Sequence, residues 1–219
     1  MSDPRPSYRT RLRRHPERGH FERETIHAIL DEGLVCHVAA ILDGQPVVVP
    51  MTYARHGEHL LLHAASSSRI ARLLAGGTEC CVAVTLLDGL VLARSAFDHS
   101  MNYRSVVVYG RAEEIREPEP KRAGLRALVE HIVPGRWDDL RPVRDAELLA
   151  TTILRLPLNE ASAKIRSGPP QDDEPDLGFP VWAGVVPLAL TASPPLDDPK
   201  LLAGQTPAPA IREYRRPRR

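Results

Sequence analysis

The chain has 219 residues, enough for one domain with extensions or for two small domains. Hydrophobic residues make up 42%, which is ordinary for a globular protein, and 29 Lys+Arg residues balance 28 Asp+Glu residues. This balance does not indicate a polyanionic partner. The three cysteines include no CxxC pair and no HExxH motif occurs, which argues against a disulfide framework and a dedicated zinc site. We find neither a secretory leader nor an apolar run of roughly 18 residues, so a soluble cytoplasmic protein is expected.

The predicted elements begin after an arginine-rich arm over residues 1–20. Apolar residues then recur at helical spacing up to Gly33, which predicts a helix over residues 22–32. β-Branched runs on either side of an Asp-Gly turn signal predict a hairpin whose strands cover residues 34–42 and 46–53. Further strands are predicted at residues 58–63, 79–87, 90–93, 103–115, 151–158 and 181–186. Two further helices are predicted, one capped by Ser67 and one that starts after Pro118.

The order of these elements predicts a mainly β, α+β fold. Short turns join five or six strands, and the helices lie in the longer crossings, so we expect a mostly antiparallel barrel. Asp88-Gly89 is interpreted as the turn that sends one strand back. Residues 21–190 form the expected domain, and residues 191–219, rich in proline and arginine, form a tail for which poor order is expected.

The strand-to-helix junction at residues 63–69 is the first candidate site. A helix N-terminus exposes unpaired N–H groups and suits an anion, and three consecutive serines add further donors. Arg69 and Arg72 can add charge-assisted bonds to a phosphate. The alternative is an ordinary capping serine beside two solvated arginines, and from this segment alone it is favoured.

Two later segments are also rich in polar and aromatic residues. Residues 94–110 place hydrogen-bonding side chains just before an apolar strand, as loops that recognise ligands often do. In residues 162–170, Lys164 and Arg166 share one face of an extended segment and could meet an anion, although solvated strand-end charges are the simpler interpretation. Trp182 follows in a third apolar stretch.

Taken in order, these clusters resemble the FMN-binding split-barrel proteins related to pyridoxamine 5′-phosphate oxidase. The likeness is greater to the branch that includes the nitroimidazole-resistance proteins. It rests on Pro50 and on the segments HAASSSR, SMNYRSVVVYG, SAKIRSGPP and VWAGVVPL. It extends over residues 10–190, and it is the order and spacing of the segments that make it specific.

The resemblance implies a homodimeric, antiparallel split β-barrel with flanking helices and two FMN sites at the subunit interface. It places the ribityl phosphate at the serine–arginine turn, the flavin ring against the strand before Tyr53, and a second group of residues beside the flavin, contributed by the other subunit. The implied cofactor-binding residues are Pro50, Met51, Thr52, His63, Ser67, Ser68, Arg69, Arg72, Asn102, Tyr103, Arg104, Lys164 and Trp182. His63 is the candidate catalytic residue, although a lone strand histidine is more often structural.

Several functions are compatible with this pattern. The leading one is an oxidoreductase in which FMN passes electrons from NADH or NADPH to a small acceptor. The alternatives are a flavin storage or sensing protein without turnover, or deazaflavin or haem in place of FMN. Vitamin B6 synthesis is doubtful, because Leu190–Pro195 replaces the basic, aromatic segment that grips substrate in true pyridoxamine-phosphate oxidases. The arginines of the two tails suggest nucleic acid, but the neutral whole argues against it.

Overall fold

A computed structural model of the protein describes residues 6–215. The first five residues of the arginine-rich arm, and Arg216, Arg218 and Arg219 at the other end, lie outside this range. The ten strands are β1 (Gly19–His20), β2 (Val35–Leu42), β3 (Gln45–His56), β4 (His59–Ala65), β5 (Glu79–Leu92), β6 (Ser100–Arg111), β7 (Glu113–Glu114), β8 (Thr151–Pro157), β9 (Ala161–Arg166) and β10 (Gly184–Pro187). The α-helices are α1 (Arg23–Glu32), α2 (Arg69–Ala75), α3 (Pro118–Ile132), α4 (Asp145–Ala150) and α5 (Pro209–Arg212).

The strands form one antiparallel sheet that closes into a split barrel. Its order is β1-β9-β6-β5-β2-β3-β4-β8-β7, with β10 added to β5. The split lies in β3, whose residues 45–52 pair with β2 and whose residues 53–56 pair with β4. The barrel closes because β7, which pairs with β8, follows β6 after the single buried residue Ala112. The predicted antiparallel split barrel is therefore confirmed.

The barrel interior is a packed apolar core. Alternate residues of each strand point inward, and those from β2, β3, β4, β5, β6 and β8 are fully buried: Val38, Tyr53, Leu60, Leu62, Val82, Val106, Leu154 and Leu156. Helix α1 contributes Leu30 at one end, where the Tyr53 hydroxyl donates a 2.6 Å hydrogen bond to the Leu30 carbonyl. This bond satisfies a carbonyl that the helix itself leaves without a partner.

A second apolar cluster lies outside the barrel beneath α3. Ala54, Leu128 and Ile153 form it, and all three are buried. Gly124 brings the helix close, because a Cβ there would lie 3.1 Å from Ile153 Cγ2. Helix α3 therefore covers the outer face of the β3-β4-β8 half and leaves the outer face of the β5-β2-β3 half uncovered.

One predicted turn is wrong. Asp88-Gly89 does not reverse the chain; β5 runs on to Leu92, and a bulge between Leu87 and Gly89 shifts its register with β6. The glycine serves a different purpose, because β10 packs closely against it and a Cβ on Gly89 would lie 3.0 Å from Val185 Cγ1. The actual return follows the loop at residues 93–99.

The arginine-rich arm lies against the barrel over its described part. Arg9 is bonded to Glu79 at 2.5 Å and also pairs with Glu160, and its guanidinium carbon is 5.0 Å from the centre of the Tyr109 ring. Thr10 is buried. At least one arginine of the arm is thus committed to the protein itself and not to an external polyanion.

The C-terminal region is extended and contains little regular structure. Within the described residues after β10, α5 is the one α-helix. Leu190, Leu196 and Leu202 are 76%, 95% and 76% exposed. The hydrophobic core of the chain therefore does not bury these three leucine side chains. No helix among residues 6–215 is long and apolar enough to cross a membrane.

Candidate functional site

The serine–arginine turn lies between β4 and α2, at the edge of the barrel. Its backbone is fixed by hydrogen bonds from the Ser66 N–H to the Ala150 carbonyl and from the Ser68 N–H to the Ala65 carbonyl, both 2.9 Å. The N-cap is Ser68 and not Ser67, and no side chain caps the helix. Ser67 is exposed and is therefore free of the capping role that the sequence predicted for it.

Two arginines extend from this turn into solvent. The Arg69 side chain is 72% exposed and lies 3.8 Å from Asp43, an equally exposed residue at the tip of the β2–β3 hairpin. Arg72 is exposed one helical turn further on. Because α2 has only seven residues, the positive charge here comes from the guanidinium groups more than from the helix.

A strip of outward-facing side chains runs from the split in β3 toward the turn. Pro50 and Thr52 are exposed on β3, and His63 is exposed on β4. Thr52 directly precedes Tyr53 and His63 directly follows Leu62; because Tyr53 pairs with Leu62, Thr52 and His63 stand side by side where β3 leaves β4. Partial desolvation of the imidazole lowers the pKa of His63, which favours its neutral form.

The side chain of Met51 does not belong to this strip. It points into the barrel and is only 8% exposed, as the alternation of a strand requires. The Met51 carbonyl lies 3.5 Å from Cys36 Sγ. A ligand on the outer face could reach Met51 only through its main chain.

The polar cluster at the start of β6 is held by the protein's own groups. Asn102 is buried, donates to the Gly168 carbonyl at 3.1 Å, and accepts a hydrogen bond from Arg166 at 2.5 Å. Arg104 makes bidentate bonds to both Glu32 and Asp88, at 2.6–2.9 Å. The sequence showed the polar side chains but not these partners, which lie far away in the chain.

Lys164 and Arg166 share the outer face of β9, as predicted, but their environments differ. Lys164 is half-buried, whereas Arg166 is 7% exposed. Desolvation, followed by the nearby charge of Arg18, lowers the pKa of Arg166. Arg166 therefore organises the loop after β9, and only Lys164 can still meet a ligand. Trp182 is 64% exposed just before β10.

Within one chain the turn and the Asn102 cluster lie at opposite ends of the sheet. One row across the sheet, near the hairpin tip, consists of Val48, Ala39, Cys81 and Tyr109. Asn102 is seven residues from Tyr109 along β6, roughly 23 Å of extended strand. Arg69 meets Asp43 at the hairpin tip. Thr52 lies beside His63, which is four residues before Ser67 on the segment that leads into the turn, and Pro50 is two residues from Thr52. Asn102 and Tyr103 lie at the end of β6 away from the hairpin tip, and Trp182 precedes β10, which pairs with the same end of β5.

The cysteines and acidic residues offer no conventional metal centre. Among the described residues no group of three or more His, Cys, Asp or Glu side chains could hold a metal ion. Cys36 and Cys80 are buried, and Cys81, which alternates with Cys80 on β5, is partly exposed. Burial raises the pKa of Cys36 to about 12 and of Cys80 to about 11, so neither is a reactive thiolate.

Comparisons with known proteins extend over different lengths of the chain. The family model described as pyridoxamine 5′-phosphate oxidase matches residues 22–165. Among solved structures, the flavocytochrome Anf3 from Azotobacter vinelandii is 40% identical, with a TM-score of 0.91 over 97% of this chain and 99% of that one. The FAD and heme binding protein from Mycobacterium smegmatis is 37% identical, with a TM-score of 0.86 over 90% and 96%.

A more distant structure shares the fold alone. A putative 5-nitroimidazole antibiotic resistance protein from Bacteroides thetaiotaomicron is 23% identical, with a TM-score of 0.57 over 67% of this chain and 86% of that one. A search of curated proteins gave no match. The family model covers most of the barrel, and the two similar structures cover nearly the whole chain. The chain belongs to the pyridoxamine 5′-phosphate oxidase family.

Proposed function

We propose that this protein binds a flavin and uses it to transfer electrons to a small oxidised acceptor. The observation that carries the proposal is the near full-length likeness to a flavocytochrome and to an FAD and heme binding protein, at 40% and 37% identity. The flavin supplies the redox chemistry, and the protein binds its phosphate, holds its ring and excludes competing reactions. FMN and FAD share the ring and the ribityl phosphate, so the residues argued below suit both.

The serine–arginine turn is our candidate for the ribityl phosphate. Ser67 is exposed and not used as a cap, and among the described residues the ion-pair partner of Arg69 is one exposed carboxylate, that of Asp43, at 3.8 Å. An exposed pair at this distance contributes little, so a phosphate can replace Asp43 at low cost. Hydroxyl and guanidinium donors on a fixed backbone suit a phosphate dianion. Ser68 and Arg72 complete the proposed set.

The strip beside the turn is our candidate for the flavin ring. Pro50 and Thr52 present an apolar and a hydroxyl group on the uncovered outer face, and neutral His63 stands next to Thr52. A neutral imidazole can donate or accept a hydrogen bond at the polar edge of the ring. His63 is therefore the proposed residue for tuning the flavin.

We extend the proposal to a homodimer. A compact monomer of 24.2 kDa is expected to expose about 10,000 Å², whereas this chain exposes 13872 Å². The C-terminal region also encloses an open cavity of about 1060 Å³ between residues 190–195 and 211–215. A second copy would bury this excess surface. It would also bring Asn102 and Tyr103 of one chain near the turn of the other.

Haem is the second cofactor that we propose, bound together with the flavin. The two similar structures that cover nearly the whole chain support this proposal, since one is named a FAD and heme binding protein and the other a flavocytochrome. Electrons would enter at the flavin from NADH or NADPH. Reduction of the flavin by a nicotinamide distinguishes this enzyme from the alternative, a protein that stores flavin without turnover.

The experiment measures the cofactors and their reduction. Cofactor released from purified protein by acid is identified as FMN, FAD or a deazaflavin by chromatography, and the bound flavin is titrated anaerobically with NADH and with NADPH. A flavin that either nicotinamide reduces, and that an acceptor reoxidises, supports the enzyme. A flavin that neither reduces favours storage or sensing.

A variant pair tests the phosphate site. Arg69→Ala should weaken flavin binding about tenfold or more, because a charge-assisted hydrogen bond contributes about 1.5–3 kcal/mol. Arg116→Ala is the matched control, since that side chain is 76% exposed and pairs with Glu114 in a similar surface ion pair. Both variants should unfold like the parent protein. Equal flavin affinities in the two variants would contradict the assignment of the turn.

A further inference from the structure

The β5–β6 hairpin projects beyond the point where β2 pairs with β5, and β10 covers its open edge. β2 pairs with β5 only as far as Ala83, whereas β10 pairs with residues 89–92. On this three-stranded extension, Val186, Leu90 and Met101 stand in one row, and Gly184 and Leu92 stand in the next. Residues directly opposite one another share a face, so these rows lie on one side of the extension.

The two faces of this extension differ sharply. On one face Val91 and Ala93 are 0% and 5% exposed. The other face is open, with Met101 at 51% and Val186 at 39%. We call the open face the hairpin shelf, and its members are Leu90, Leu92, Met101, Trp182 and Val186. Trp182 belongs to it because a Cβ on Gly184 would lie 2.8 Å from the indole ring, which therefore lies against this glycine.

His99 stands at the edge of the hairpin shelf. It directly precedes Ser100, the first residue of β6, and Ser100 pairs with Val91. Continued by one residue, this register sets His99 opposite Leu92 and on the same side of the hairpin as Met101. Its loop is fixed at the base by Arg94, whose backbone and guanidinium both bond Asp172, at 2.5 and 2.8 Å.

The orientation of the imidazole is set by one hydrogen bond. His99 Nδ1 lies 2.7 Å from the Ser95 carbonyl oxygen. A carbonyl only accepts, so Nδ1 carries the proton and Nε2 keeps its lone pair. Among the described residues Nε2 has no partner. Metal-ligating histidines characteristically donate their second ring N–H to a carbonyl in this way, which fixes the tautomer and raises the basicity of the ligand.

The chemistry of this arrangement fits haem and does not fit a bare metal ion. In the described chain His99 belongs to no group of three or more ligating side chains, whereas a zinc site needs at least three protein ligands. Haem iron needs only axial ligands from the protein, commonly a single histidine, and its macrocycle needs an apolar surface. The hairpin shelf provides that surface directly beside the imidazole.

Other histidines are less suited. His15 and His27 are close to the carboxylates of Glu17 and Glu58. His131 packs against the Tyr53 ring and bonds the Gly33 carbonyl. His63 is on the strip that we assign to the flavin. On the hydrogen bond of His99 and its place at the hairpin shelf, we propose that His99 is an axial ligand of haem iron and that the hairpin shelf packs against the macrocycle. This inference rests on the proposed binding of haem.

The test measures haem in the full-length chain, expressed with a haem precursor and also titrated with hemin. His99→Ala should lower haem content or hemin affinity by at least about tenfold, and added imidazole should restore the absorption and electron paramagnetic resonance signals of the parent protein. His56→Ala is the control, because His56 is an exposed histidine at the β3–β4 turn, away from the hairpin shelf. Flavin content should be the same in the parent protein and in both variants.

The outcomes separate the two proposals. A parent protein that contains flavin but neither holds haem nor binds hemin contradicts the proposed haem binding, and the inference with it. A parent protein that holds haem, together with a His99→Ala variant of unchanged haem content and unchanged axial-ligand signature, overturns the assignment of His99 alone. Because His99 is exposed, its replacement should not prevent folding, and thermal unfolding of each variant verifies this.

Discussion

Replacement of Arg104 by methionine tests whether this arginine serves the fold or a cofactor. Its guanidinium uses four N–H groups to bond Glu32 and Asp88, at 2.6–2.9 Å. The three side chains are 22%, 10% and 35% exposed. Loss of one partner from a buried ion pair costs about 3–5 kcal/mol. Partial exposure reduces this, so we predict a loss of about 2–4 kcal/mol.

The assay is thermal and urea unfolding, with cofactor content measured in parallel. For a domain of this size the predicted loss lowers Tm by about 5–15 °C. Arg116→Met, which breaks a pair with Glu114 at an exposed position, is the matched control and should change stability by less than about 0.5 kcal/mol. The cofactor bound per folded molecule should stay constant. Equal stability of both variants, with cofactor lost only from the Arg104 variant, would refute the structural role.

Two further predictions concern the barrel interior. Gly33→Ala would place a Cβ 2.5 Å from the Tyr53 hydroxyl and 2.6 Å from Val84 Cγ1, and should cost about 1–3 kcal/mol in urea unfolding. The cost should be smaller in a Tyr53→Phe background, and strict additivity in the double-mutant cycle would argue against this clash. Raised pKa values, about 12 for Cys36 and about 11 for Cys80, predict that neither thiol reacts at about pH 8 before unfolding. Rapid labelling of either in the native protein would contradict their burial.

Much of the fold could be predicted because its signals are local. The apolar spacing before Gly33 predicted α1, and the alternation on both sides of residues 43–44 predicted the first hairpin. Asp88-Gly89 misled the prediction, because the same dipeptide that favours a turn also permits a bulge and the close approach of β10. Whether the dipeptide forms a turn or a bulge depends on the packing of residues 184–187, which are distant in sequence, so the local pattern cannot decide it. α4 and the two-residue β1 were missed for a similar reason, since both depend on tertiary contacts.

The site was predictable by residue type but not by environment. The sequence singled out Arg104 and Arg166 as chemically rich, yet in the folded chain Arg104 is bound by distant carboxylates and Arg166 by the distant Asn102 side chain. Met51 was expected beside the ligand, and strand alternation turns its side chain into the core. The bond between His99 and the Ser95 carbonyl closes across a four-residue loop, and the sequence gives no periodic signal for such a geometry.

The absorption spectrum of the purified full-length protein, before and after chemical reduction, tests the central proposal most directly. The account predicts flavin bands that bleach on reduction and a Soret band that shifts, with both pigments recovered on denaturation. Recovery of flavin alone would contradict the proposed haem binding, and with it the proposed role of His99. A colourless protein that takes up neither added flavin nor hemin would contradict the proposed function.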